Sequence, residues 1–264
     1  MKNILVTGAY GGMGRATVKA LLEDGCRVFA LDKSVGEAQK DLIPIEVDVT
    51  DEASISKALD IVKEKTETLD AIIHFAGIYM LDSLVEMNSE SFKRIFEINL
   101  FGVYLINKAF LPLLQGGSRI IITTSELAPL DPLPFTGIYA ITKSALDKYA
   151  YSLRMELQLL DINVSVLRAG AVDTGMLGAS TNALDQFCKE TELYTCNAAR
   201  FKKIVDRVES GCIKPEKLAK KVLKILNKRS PSFAYSINRN PLLLVLNFLP
   251  KRLQLFAIKL VLKP

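Results

Sequence analysis

The sequence has a single histidine, His74, and only four cysteines: Cys26, Cys188, Cys196 and Cys212. No two cysteines form a C-x-x-C, and one histidine does not complete a usual zinc set with them. The sequence therefore predicts no metal site, and four reduced packing cysteines in an intracellular, cytoplasmic protein. Long apolar runs are missing too. No uninterrupted run reaches the ~18 residues of a membrane span. The longest candidate, LLLVLNFL from Leu242 to Leu249, stops at Pro250 and Lys251. The first apolar run, Asn3 to Val6, is too short for a secretory signal and reads as a strand. No internal repeat, low-complexity tract or linker precedes Val172. The expectation is one domain over residues 1–264.

What is present is apolar residues, 49% of the chain, enough for a substantial core. The net charge of +5 is unevenly spread. From Lys214 onward there are 12 Lys/Arg against the single acid Glu216, whereas the earlier chain has 22 bases and 28 acids. Such a basic end reads first as a solvated rim. Its sharper readings are contact with a membrane surface or with an acidic substrate carrier. No nucleic-acid partner is expected.

Strand-like and helix-like segments alternate. KNILVT, RVFALD, IPIEVDV, LDAIIHFAG, RIIITTS and NVSVLRAG read as strands, with PSFAYSI as a candidate edge strand. Helices are expected over Gly12–Glu23, about Asp51–Thr66, Ser91–Leu114, Thr136–Leu160 and Pro215–Lys228. Apolar strands separated by helices predict an α/β fold: a doubly wound, Rossmann-type parallel sheet of about seven strands, with helices on both faces. Beyond Thr174 the pattern loosens into a substrate-binding insertion, about 175–213, with apolar points at Met176, Leu177, Phe187, Tyr194 and Phe201. The tail, about 241–264, ends in KRLQLFAIKLVLK. There Leu253, Phe256, Ala257, Leu260 and Val261 share one helical face, and Arg252, Lys259 and Lys263 another. This basic amphipathic helix is expected to pack on the body or on a subunit, with peripheral membrane contact as the alternative.

Three features carry chemistry. TGAYGGMG, Thr7 to Gly14, lies between a strand and a helix, where backbone N–H groups meet a phosphate. Asp32 ends the second strand, 18 residues after Gly14. A carboxylate there accepts from ribose hydroxyls and repels a 2′-phosphate. Gly11 offers no basic side chain to answer such a phosphate. NAD is therefore expected, with NADP the alternative because Lys33 stands beside Asp32. Tyr139 and Lys143 form a Y-x-x-x-K on one helical face, where an ammonium favours the phenolate. Tyr104 and Lys108 repeat that spacing, but mid-helix among apolar residues, and read as packing. Ser125, 14 residues before Tyr139, ends the fifth strand at the ligand-binding edge. His74 ends a buried strand and reads as structural.

In this order the residues resemble the short-chain dehydrogenases/reductases, over residue 2 to about 174. The T-G-x-x-x-G-x-G loop is Thr7, Gly8, Gly12 and Gly14; the D-V pair is Asp48-Val49; N-x-x-G is Asn99 to Gly102; the serine is Ser125; Y-x-x-x-K is Tyr139 to Lys143. The chain departs from the family at His74-Phe75-Ala76-Gly77, where N-N-A-G is usual, and at Ala169, where proline is usual. The Ser125–Tyr139 spacing is one residue long; the residue at the usual spacing is Glu126, which is no hydroxyl donor.

The resemblance implies hydride transfer between a nicotinamide dinucleotide and a ketone or secondary alcohol. Asn99, Ser125, Tyr139 and Lys143 would be the catalytic set. Tyr139 would be the general acid/base, Lys143 would lower its pKa, Ser125 would orient the substrate oxygen and Asn99 would hold a proton relay. Thr7, Gly8, Gly12, Met13, Gly14, Asp32, Asp48, Val49, Phe75, Ala76, Gly77, Tyr139, Lys143, Val172 and Thr174 would hold the cofactor. PFTGIYAITKSALDKYAYSLRMEL looks like the hydroxysteroid and retinol dehydrogenase branch, which implies a small lipophilic carbonyl or alcohol substrate of steroid or retinoid type. A 3-oxoacyl thioester reductase is the rival enzyme, and a non-catalytic NAD-binding or membrane-associated scaffold the rival of another class. A homodimer or homotetramer is expected, through the Ser91–Leu114 and Thr136–Leu160 helices.

Overall fold

A computed structural model of the chain describes residues 1–209 and 211–263; the side chains of residues 176–181 and 207–209 are outside that description. Seven parallel strands form one sheet: β1 (Asn3–Thr7), β2 (Arg27–Asp32), β3 (Leu42–Glu46), β4 (Leu69–His74), β5 (Leu114–Ser125), β6 (Asn163–Ala169) and β7 (Ala234–Ile237). Their order is β3-β2-β1-β4-β5-β6-β7. The order reverses between β1 and β4, so a crevice opens beyond the carboxyl ends of these two strands.

Side chains alternate across each strand and divide the core in two. Leu5, Phe29, Ile72, Ile120 and Val164 point to one face. There they meet α2 (Glu52–Lys63), α4 (Gly102–Phe110) and α5 (Gly137–Leu157) through Ile55, Val103, Ile106 and Leu146. Ile4, Val6, Val28, Ile73 and Ile121 point to the other face. They meet α1 (Gly12–Glu23) and α8 (Pro215–Leu226) through Val18, Leu21, Leu218 and Val222. Both faces are covered, so the strands are apolar runs rather than polar–apolar alternations.

Several elements differ from expectation. The third strand stops at Glu46, because the Asp48 carboxylate accepts from the Thr50 N–H at 2.9 Å and turns the chain there. The long fourth helix is broken by geometry. α3 (Ser89–Phe96) passes through a π-helical turn, Glu97–Phe101, into α4. The whole Ser89–Leu113 helix is long and apolar enough by composition to cross a membrane, yet Ile95, Asn99, Val103, Ile106 and Phe110 are buried in this fold. The insertion is not loose: it forms α6 (Gly175–Glu190) and α7 (Thr195–Glu209). Phe187 and Phe201 are buried there and, with Tyr194, pack around Phe135. Met176 and Leu177 lie outside the described side chains.

The tail forms α9 (Pro241–Phe248) and α10 (Lys251–Leu262). It does pack on the body, but not through the expected stripe. Gln254 and Leu262 are buried, with Ala257 and Ile258 half-buried, whereas Leu253, Phe256, Leu260 and Val261 are exposed. Polar contacts fix this rotation. Asp131 bonds Lys251, and the Gln254 amide donates to it at 3.2 Å. The Asn197 amide donates to the Leu262 carbonyl at 2.8 Å.

Candidate active site

The β1–α1 turn shows why glycine is needed. Gly8 sits at φ +64°, and a Cβ there would lie 2.5 Å from the Ala76 nitrogen. A Cβ on Gly14 would meet the Gly8 carbonyl oxygen at 2.1 Å. The loop thus packs tightly against β4 and brings the start of α1 to the crevice. No side chain caps α1, and its first turn holds no acid, so its terminal N–H groups are available to an anion.

A groove of about 530 Å³ runs past this turn. Of the expected cofactor residues, Gly8, Gly12, Met13, Gly14, Asp32, Val49, Phe75, Ala76, Gly77 and Thr174 line it. Thr7 and Asp48 do not. The Thr7 hydroxyl accepts from the Ala76 N–H at 3.4 Å and steadies the opposite loop from beneath. Asp48 pairs with Lys33 at 2.7 Å. Burial alone would raise the Asp48 carboxyl, but bonds from Lys33 and Thr50 outweigh it and hold it at about 2. Lys33 is thereby drawn onto a carboxylate. Asp32 accepts from the Tyr10 and Lys33 N–H groups, each at 2.8 Å, which fixes its carboxylate at the groove wall. Sequence reasoning missed Arg15, which also lines the groove. One helical turn beyond Gly11, it carries no signal until the loop is folded.

A second cavity, of about 390 Å³, adjoins the groove; Met13, Phe75, Gly77 and Thr174 line both. Ser125, Tyr139, Lys143 and Val172 line this cavity. β5 delivers Ser125, and the first two turns of α5 deliver Tyr139 and Lys143. Ser125 hydrogen-bonds the Tyr139 phenol. The Lys143 ammonium donates to the Thr123 carbonyl at 3.4 Å and lies over the Tyr139 ring, 5.6 Å from its centroid.

The expected lowering of Tyr139 by Lys143 is not found in this arrangement. Burial pushes the phenol well above the usual tyrosine range and the Tyr79 ring beside it adds to the rise; the Ser125 bond pulls weakly the other way. The ammonium lies over the ring. Burial also lowers Lys143, to about 8. Tyr79, 4.7 Å from the Tyr139 ring between centroids, is a cavity residue that no motif marks.

Asn99 lines neither space. It is fully buried in the π-helical turn, where its amide accepts from the Ile78 N–H at 2.8 Å and donates to the Ile78 carbonyl at 2.9 Å. It also donates to the Thr142 hydroxyl at 3.3 Å. A Cβ on Gly77 would lie 3.1 Å from the Asn99 oxygen and 3.5 Å from the Lys143 nitrogen, so Asn99 stands behind the loop that separates it from the cavity. Tyr104 lines neither space, but it is exposed on α4 under Lys108 rather than packed among apolar residues as expected. His74 is buried and bonds Asn107 at 2.9 Å.

The residues fit a nicotinamide dinucleotide. Besides the glycine cradle and the open helix end, two buried hydroxyls have no hydrogen-bond partner among the described residues, Tyr10 in the groove wall and Thr123 in the cavity wall.

The family model described as short chain dehydrogenase matches residues 2–185. A 3-ketodihydrosphingosine reductase of Bacteroides thetaiotaomicron is 27% identical over 263 residues, covering 97% of this chain and 96% of that one. Mouse estradiol 17-beta-dehydrogenase 2 is 31% identical over 210 residues, covering 72% of this chain and 55% of that one. An alcohol dehydrogenase of the archaeon Thermococcus sibiricus, solved with 5-hydroxy-NADP, superposes with a TM-score of 0.74 at 25% identity, covering 91% of this chain and 99% of that one. The chain belongs to the short chain dehydrogenase family, oxidoreductases that act on alcohol and ketone groups.

Proposed function

We propose that this chain is a nicotinamide-dependent reductase of a lipophilic ketone, and that NAD(H) is preferred to NADP(H). One observation carries the reading. Ser125, Tyr139 and Lys143 meet in an apolar cavity that shares a wall with the glycine-loop groove. When bound, the dinucleotide supplies the hydride; the chain supplies position and proton. The start of α1 holds the pyrophosphate, Asp32 the adenosine ribose, and Val172 and Thr174 the carboxamide end. The Ser125 hydroxyl orients the carbonyl oxygen. Tyr139 donates its proton to that oxygen as negative charge develops there. A phenol is in the acid form that reduction requires at neutral pH. Ser125 then stabilises the phenolate left behind through the hydrogen bond the two share.

The substrate class rests on the cavity wall. Leu127, Leu133, Leu243, Leu246, Ile258 and Leu262 suit a steroid, retinoid or long-chain ketone. α9 and α10 roof this wall, and their outer faces expose Val245, Phe248, Leu255 and Leu260 beside Lys251, Arg252, Lys259 and Lys263. We read that outer face as a peripheral contact with an anionic membrane surface. A second copy docked there would oppose like charges. Exposed Phe101, Tyr104, Tyr151 and Met155 on the helices that include α4 and α5 favour those faces for self-association instead. NAD preference rests on Asp32 and on the commitment of Lys33 to Asp48.

The test is NADH and NADPH oxidation across a panel of steroid, retinoid and long-chain ketones. Tyr139→Phe is expected to lower kcat by about 10²- to 10⁴-fold. Equal inertness of both proteins across the panel rejects the reductase reading, and faster turnover with NADPH rejects the cofactor preference.

A further inference from the structure

Among the described residues that line the apolar cavity, one carries a carboxylate. Glu126 follows Ser125 directly at the end of β5, and both line the same space. Its Oε2 accepts from the Asn240 N–H at 2.6 Å, where α9 begins. Among the described residues its Oε1 accepts no hydrogen bond. Nor does any described cation lie within 4 Å of the carboxylate. Arg239 acts on it only from further away, and Lys143 is bound to the Thr123 carbonyl. Burial raises the Glu126 carboxyl, as expected for an acid with too little compensation. A carboxylate kept half-buried among leucines and isoleucines lacks a partner that a ligand cation can supply.

We propose that Glu126 is the counter-ion for a protonated amine on the substrate, and that the preferred substrate is therefore a long-chain amino ketone. Glu126, Ser125 and Tyr139 line one cavity, so the amine and the carbonyl belong to the same end of one substrate molecule. The alkyl chain then runs along the roof formed by α9 and α10. This deepens the reductase reading and rests on it for the word ketone, while the amine subsite stands on Glu126 alone. It also separates the chain's substrate from steroids and retinoids without an amine, which would leave the carboxylate unpaired under the roof.

The subsite is tested without turnover. The full-length protein, with NADH and again without it, is titrated calorimetrically with octylamine, octan-1-ol and N-acetyl-octylamine, none of which is a ketone that could be reduced. Octylamine is expected to bind about 10- to 100-fold more tightly than the two neutral probes. Glu126→Gln retains an acceptor for the Asn240 N–H and removes the charge, so the ratio of amine to alcohol affinity is expected to fall by a similar factor. Equal affinity of the wild type for all three probes overturns the proposal, and so does a Gln variant that keeps the amine preference. The probe series on the wild type decides the matter even if the variant does not fold. Charge-dependent binding of octylamine in a protein inert toward every ketone would reject the reductase reading and leave the subsite standing. Ketone reduction with no amine preference would do the reverse.

Discussion

His74 illustrates how burial sets the state of a single side chain. It ends β4 with no exposed surface of consequence, and burial lowers its pKa from 6.5 to about 4 although the bond to Asn107 opposes the shift. The folded protein thus holds a neutral imidazole. Above pH 6.5 folded and unfolded chains are both neutral there, and the stability contribution is complete. Between pH 6.5 and 4 the unfolded chain binds the proton and the folded one does not, so stability falls. The loss is complete below about pH 4 and reaches about 3 kcal/mol. His74→Asn is expected to lose about 3 kcal/mol less than wild type between pH 7 and pH 4; urea midpoints at the two pH values check this. The position's structural role was readable from a lone histidine closing an apolar strand. The state of Tyr139 was not. Spacing puts Lys143 on its face of the helix, but only coordinates reveal an ammonium over the ring and a phenol deep in the protein. Glu126 was noticed merely as a residue unable to replace Ser125, because sequence does not say which side chains share a cavity.

Among the elements, the strands were the most legible, since near-continuous aliphatic runs have few other uses in a chain of this size. Helix existence was equally clear where apolar spacing was regular. The π-helical turn was not: one extra residue in a helical turn leaves no periodic trace. Yet it is this turn that holds Asn99, and through Asn99 the Ile78 backbone. Asn99→Ala would strand the Ile78 N–H and carbonyl, whereas the Thr142 hydroxyl keeps its bond to the Tyr139 carbonyl. The expected cost is about 2–4 kcal/mol, read from the denaturant midpoint. Activity should fall further than the loss of folded protein explains, because the loop that Asn99 steadies supplies Phe75, Gly77 and Tyr79 to the cavity. Preserved activity in soluble Asn99→Ala would reject that linkage. The α10 stripe was misread for a different reason. An amphipathic pattern identifies an apolar face but not its cover, and here Asp131, Gln254 and Asn197 turn a different face to the body.

At the scale of the whole molecule, the basic end and the cavity roof are the same segment. Residues beyond Asn240 close the substrate space on one side and present apolar and cationic groups on the other. The protein is expected to sediment with vesicles containing a third phosphatidylserine and not with neutral phosphatidylcholine vesicles, and to be released by raised salt. Leu255→Glu together with Phe256→Glu, both on the exposed face, should abolish sedimentation. Unchanged sedimentation would reject the membrane reading.

Met13, Phe75, Gly77 and Thr174 form a party wall between groove and cavity. A dinucleotide seated in the groove becomes part of the floor on which the ketone rests, whereas a ketone arriving first has no such floor. Binding should therefore be ordered, dinucleotide before ketone, and release ordered as well, alcohol before oxidised dinucleotide. Initial-rate inhibition tests this. Oxidised dinucleotide should compete with the reduced form at every ketone concentration, while the product alcohol should not. Competition by the alcohol against the reduced dinucleotide would mean that either ligand enters first.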